Sequence, residues 1–211
     1  RCGPAAEGMA CSFLRSYCCL ILWVLLNVII FVVSYHKYLR PKHYYLHTML
    51  GTGLCVSRAS AAVVNLNAAL VLLPVCRGVN SLIYRALNRI SRSLLSLWLA
   101  RLKDVHITLA TTIVLAAVIH SIAHLVNSVN FSRHYDIHHP EINWAKYRGQ
   151  SPLLLVLTST VGLTGVAMLV VLLLMLLLSL KCVRESHYDL FWATHFLFLP
   201  FMGLLILHPL R

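Results

Sequence analysis

The sequence predicts an all-α, multi-pass transmembrane helical bundle, and three observations carry that expectation. Hydrophobic residues make up 59% of the chain, and mean hydropathy is +0.78. Charged residues are only 11%, against about 25% in soluble proteins. Finally, the apolar residues gather into five runs, each long enough for about 30 Å of hydrocarbon, which takes about 20 residues. Lys and Arg number 18 against 6 Asp and Glu. These cations fall mostly between the apolar runs, so the excess reads as orientation in a lipid bilayer rather than nucleic-acid binding.

The first run covers about 18–35, the second 48–76, the third 104–129, the fourth 152–180 and the last 188–208. Residues 1–17 are expected to form an N-terminal cytoplasmic segment, with Met9 as the start and no cleavable signal peptide. Glycine and proline occur inside several runs, as membrane helices tolerate. The seven cysteines show no C-x-x-C pair and no metal spacing, so they read as thiols beside or inside apolar segments rather than a disulfide framework. Cys18 and Cys19, at a membrane edge, are candidates for palmitoylation.

Loop charge sets the orientation. Arg77, Arg85, Arg89, Arg92, Arg101 and Lys103 follow the second run, and Lys181 and Arg184 follow the fourth. The opposite loops carry Lys37, Arg40 and Lys42, then Arg133, Lys146 and Arg148. With Arg15 added to the first side, the bias predicts a cytoplasmic N-terminus. Arg85, Arg89 and Arg92 share one face at i, i+4, i+7, with Leu82, Ile83, Leu87, Ile90, Leu94 and Leu95 as the apolar remainder. That pattern predicts one amphipathic helix on the anionic inner leaflet, or a docking surface for a cytosolic partner. The outer loop 128–151 holds His134, Asp136, His138, His139 and Glu141, and Asn130-Phe131-Ser132 matches a glycosylation acceptor close to the membrane surface.

Chemistry concentrates in four histidines. His106 and His120 stand fourteen residues apart on the third run, which leaves them within about 40° of each other and about 21 Å apart along a helix. His195 and His208, thirteen apart on the last run, have a rise of about 19.5 Å. Two pairs at matching depths can form two bis-imidazole sites, and the ligand that takes two axial imidazoles in an apolar bundle is haem. One site would join His106 to His195 near the cytoplasm, the other His120 to His208 nearer the outside. A regular helix would turn His208 about 140° away from His195. Pro200 cannot donate to the Phe196 carbonyl, so a kink or altered winding is expected there. Arg58, about 15 Å into the second run, requires an anion or carbonyl cluster at that depth. His124 lies one turn beyond His120 on the same face.

The segments HYYLHTMLGTGLCVSRASAAVVNLNAALVLLPVCR (43–77), HSIAHLVN (120–127), GLTGV (162–166) and YDLFWATHFLF (188–198) resemble the transmembrane part of the NADPH oxidases. The resemblance implies a ferric-reductase-like domain over residues 18–208 with two b-type haems, His106 and His195 matching the inner ligands and His120 and His208 the outer ones. Arg58 and His124 match residues at the oxygen-reducing centre. Such enzymes pass electrons from NADPH through FAD and both haems to oxygen, giving superoxide or hydrogen peroxide, in a plasma membrane or endomembrane and with a small membrane-protein partner subunit. Members carry a sixth span and a dehydrogenase domain. The sequence reaches Arg211 without either and holds no G-x-G-x-x-G, so the chain is expected to be a membrane part or truncated form that meets FAD and NADPH only through a domain it lacks. Two rival readings remain: a ferric or cupric metalloreductase, favoured by an outer metal site at His134, His138 and His139, and a haem-free, non-catalytic helical protein.

Overall fold

The computed structural model describes residues 4–208, with the side chains of the N-terminal residues up to Ser16 left aside. Expectations that fall on Cys2, Pro209 or the side chains of Cys11 and Arg15 therefore lie outside the described residues.

Among the described residues all regular structure is helical. Ten α-helices follow in order: α1 Pro4–Lys37, α2 Tyr44–Leu50, α3 Thr52–Leu70, α4 Arg77–Ile90, α5 Arg92–Arg133, α6 Pro152–Thr158, α7 Thr160–Leu178, α8 Lys181–Ser186, α9 Tyr188–His195 and α10 Phe198–Leu207, with a 3₁₀ turn at Pro41–His43 before α2. Five stretches are long and apolar enough to cross a membrane: Tyr17–Lys37, Thr52–Leu70, part of Arg92–Arg133, Thr160–Leu178 and Tyr188–Leu207. The protein is an integral membrane protein. Leucines and valines of α1 and α7 face outward (Leu22 and Val33 are each 65% exposed, Leu163 58%), as expected of surfaces meant for lipid rather than water.

Three helix boundaries depart from simple periodicity. The expected helix carrying Arg85, Arg89 and Arg92 is two helices, because Ser91 takes an extended conformation (φ −164°, ψ 116°) that ends α4. The Ser91 hydroxyl then accepts a bond from the Leu94 amide at 3.4 Å and opens α5, so Arg92 and Leu95 belong to α5 and share no helix face with Arg85. The fourth span is interrupted at Ser159, which caps α7 by accepting from the Gly162 amide at 3.0 Å. The fifth is interrupted after His195. There the Leu197 amide reaches Thr194 at 3.0 Å and the Leu199 amide reaches Phe196 at 3.0 Å. Both are tight i→i−3 bonds, and the second occupies the carbonyl that Pro200 cannot serve.

The chain divides into two compact units, one of Arg1–Arg40 with Arg58–Ala116 and one of Pro41–Ser57 with Ala117–Arg211. In the first, Ala59, Val63, Val64, Ala68, Leu109 and Ile113 are buried. Asn67, fully enclosed, donates to Asn27 Oδ1 at 2.7 Å and to the Val63 carbonyl at 2.8 Å, the sort of amide pairing that fixes helices to one another in lipid. Asn80 receives the Trp98 indole N–H at 3.0 Å and donates to the Pro74 carbonyl at 2.8 Å, tying α4 to α5.

In the second unit Asn127 donates to the Gly53 carbonyl at 3.3 Å and to Ser57 Oγ at 3.2 Å. A Cβ on Gly53 would meet Asn127 Oδ1 at 2.3 Å, so only glycine permits this approach. Asn130 donates its amide to the Leu50 carbonyl at 2.9 Å, which engages the nitrogen that a glycan would need.

Candidate functional site

All four paired histidines have their Nδ1 atom tied down. In the first unit His106 Nδ1 lies 2.9 Å from the Val71 carbonyl. In the second, His120 Nδ1 lies 2.8 Å from the Ser57 carbonyl. A carbonyl can only accept, so in both rings Nδ1 carries the proton and Nε2 the lone pair. His208 Nδ1 sits 2.9 Å from Thr164 Oγ1, and His195 Nδ1 sits 3.4 Å from Ser179 Oγ. Each hydroxyl spends its single proton inside α7, Thr164 on the Thr160 carbonyl at 2.8 Å and Ser179 on the Met175 carbonyl. Their oxygens therefore accept from Nδ1–H, and these rings present Nε2 as a lone pair as well.

The second unit brings His120 and His208 together, with ring centroids 6.3 Å apart and planes at 67°. Two imidazoles bound through Nε2 on opposite sides of one metal ion, with metal–nitrogen bonds of about 2.0–2.1 Å, have centroids about 6 Å apart. The donor set and this spacing fit an iron that the two imidazoles would hold between them. His195 and His208 both face α7, at Ser179 and Thr164, so the interruption between α9 and α10 removes the angular mismatch of a regular helix. His106 belongs to the first unit and His195 to the second.

His124 stands beside His120 in a T-shaped contact, centroids 4.5 Å apart. Its other neighbour is Trp144, a loop residue stacked near-parallel on it at 6.5 Å and on Phe131 at 5.4 Å. The loop is held by Asn143, which donates to the Phe131 carbonyl at 3.2 Å, and by the Gly149 amide on the Ser132 carbonyl at 2.9 Å. Arg58, in the first unit, is exposed and lies over the Tyr38 ring at 5.7 Å, a cation–π distance. None of the three ion pairs among the described residues uses it.

In the outer loop His139 bonds Asp136 at 2.9 Å and stacks on Tyr45 at 4.6 Å. The hydrogen bond from His139 first, and that from the His138 amide second, hold the Asp136 carboxyl below its ordinary 3.8. Among the described residues no three His, Cys, Asp or Glu side chains converge as a metal site would require, so His134, His138 and His139 do not form the outer site considered from the sequence.

Sequence reasoning missed the acceptors on the histidines. Two of them are backbone carbonyls, and the other two are hydroxyls fifteen residues apart, near but not equal to the thirteen between His195 and His208. Tyr38 and Trp144 carried no comparable signal.

The fold and the paired imidazoles place the chain among helical membrane bundles that carry side-chain ligands in their interior. Residues 58–206 match the ferric reductase like transmembrane component, and the chain belongs to that family. Its similarity to NADPH oxidases is extensive. NADPH oxidase 4 of Rattus norvegicus is 46% identical over 194 residues, covering 90% of this chain. NADPH oxidase 4 of Homo sapiens is 45% identical over the same length, and NADPH oxidase 1 of Mus musculus 32% over 209 residues. The chain spans about a third of the length of these relatives.

Proposed function

We propose that the chain carries electrons across the membrane through two b-type haems to oxygen on the outer or lumenal side, as the membrane part of an NADPH oxidase producing superoxide or hydrogen peroxide. The observation that carries this reading is the His120–His208 pair, 6.3 Å between centroids, with both Nδ1 atoms engaged. His120 and His208 would hold the outer haem, His106 and His195 the inner one. Haem so held would supply reversible one-electron transfer. FAD and NADPH would act through the part of such oxidases outside the stretch this chain matches.

The chain's own residues do the rest. The Ser57 and Val71 carbonyls fix tautomer and ring orientation for His120 and His106. With His120 and His208 both given to the haem, oxygen would receive its electron beside the site, among the chain's own residues. Developing negative charge there would need a preorganised cation, the role the family resemblance gives to Arg58, whose guanidinium lies over the Tyr38 ring. His124 is the donor or proton source, and Trp144 stacked on it restricts its movement and the entry of water. Positive-inside bias puts the N-terminus in the cytoplasm, and α4 then lies on the anionic inner leaflet with Arg85 and Arg89 toward headgroups.

Optical spectroscopy of the purified, haem-supplemented chain tests the reading. Reduced b-type bands equivalent to two haems per chain support it; a chain that folds without haem overturns it. Oxygen uptake by the complete oxidase without added metal separates it from a metalloreductase.

A further inference from the structure

We infer that Thr164 of α7 and Ser179, which caps the C-terminal end of that helix, are positioning residues, one for each haem, acting through His208 and His195. The inference rests on the two-haem reading above and adds to it two side chains that touch no cofactor.

α7 places these hydroxyls fifteen residues apart, a rise of about 22 Å that is close to the rise of the histidine pair opposite. Both oxygens lie within donating reach of a backbone carbonyl of α7, an arrangement in which each hydroxyl gives its proton there and accepts from its histidine. Thr164 reaches His208 at 2.9 Å and Ser179 reaches His195 at 3.4 Å. Gly165, next to Thr164, leaves the ring its space: a Cβ there would already touch His208 Cε1 at 3.4 Å.

The arrangement divides the work between helices. His106 and His120, within the long α5, lean on backbone carbonyls, which no side-chain substitution removes. His195 ends α9 and His208 follows α10, where an interrupted helix holds orientation less firmly. There the acceptor on Nδ1 is a side chain, which favours the Nδ1–H tautomer that presents Nε2. An acceptor on Nδ1–H raises ligand basicity and stabilises the oxidised metal, so its removal should raise the midpoint potential of the haem concerned and loosen its hold.

The test uses haem-loaded protein in membranes or detergent, with low-temperature reduced spectra, electron paramagnetic resonance of the oxidised haems, and redox titration. Thr164→Val keeps shape and deletes the acceptor. The expected result is a displaced signal and an upward potential for the outer haem alone, with affinity for it lower by about 10–100-fold. Ser179→Ala should do the same to the inner haem alone, more weakly because its bond is longer. Thr164→Ser should restore the outer signal. The inner signal in Thr164→Val reports whether the protein is folded. Unchanged signals and potentials in both variants, with two haems bound, overturn the inference and leave the two-haem reading standing. Absence of haem from the unsubstituted protein defeats the reading itself. Equal disturbance of both haems by either variant also overturns the assignment, since a general packing defect would act that way.

Discussion

Replacing His120 with leucine removes one imidazole of the His120–His208 pair and leaves the rest of α5 a good helix. The structural cost is small. The Ser57 carbonyl loses its side-chain donor at 2.8 Å, and a hydrogen bond of this kind contributes about 0.5–1.5 kcal/mol. Against a typical reserve of about 5–15 kcal/mol the chain stays folded, so its haem content can be read. The expected outcome is loss of one haem of two, with reduced absorbance per chain falling to about half and the remaining signal keeping the inner haem's character. Pyridine haemochrome assay against protein concentration measures this. His124→Leu is the control, because His124 touches His120 at 4.5 Å yet is assigned no metal; it should retain both haems. Two haems retained in His120→Leu, or equal loss in both variants, would refute the ligand assignment.

Arg58→Ala in the complete oxidase should keep both haems and slow oxygen reduction by on the order of 10²-fold, the usual cost of removing a preorganised charge-stabilising group; unaltered turnover counts against its role. Gly53→Ala forces a methyl into Asn127 Oδ1, so thermal unfolding in detergent should show a loss of about 1–3 kcal/mol, whereas Gly78→Ala, where nothing lies within 4 Å, should show none. The Asp136 carboxyl is lowered by its bonds to His139 and the His138 amide. Its loop contact should therefore persist above pH 3.8 and disappear only as pH falls through the lowered value, followed by the Asp136 carboxyl resonance in magnetic resonance. A midpoint at or above the ordinary value would contradict the contact.

Much of this architecture was legible because membrane spans are written in composition, and composition survives without knowledge of packing. The five runs and both histidine pairs followed from length and helical spacing alone. What periodicity could not supply was the places where the helix stops being regular. Ser91 reads as one polar residue in an amphipathic pattern, yet its extended backbone moves Arg92 onto another helix. Ser159 and the pair Phe196–Leu197 break spans whose hydropathy is continuous, and only Pro200 gave warning. The acceptors on the imidazoles were hidden for another reason. Two of them are carbonyls, which no residue type announces, and Thr164 looks like any threonine bonding back to its own helix. Tyr38 beside Arg58 and Trp144 on His124 join residues distant in sequence or folded down from a loop.

The interruption after His195 has one more consequence. In an unbroken helix a single inserted residue rotates everything beyond it by about 100°, so two metal ligands on such a helix are locked to a fixed count. Here the ladder of i→i−4 bonds is cut between α9 and α10, and angular phase does not pass through the cut. Each histidine is aimed by its own contact with α7. The tighter turn at Phe196–Leu197 sets a rotation between them that a regular helix of thirteen residues would not give.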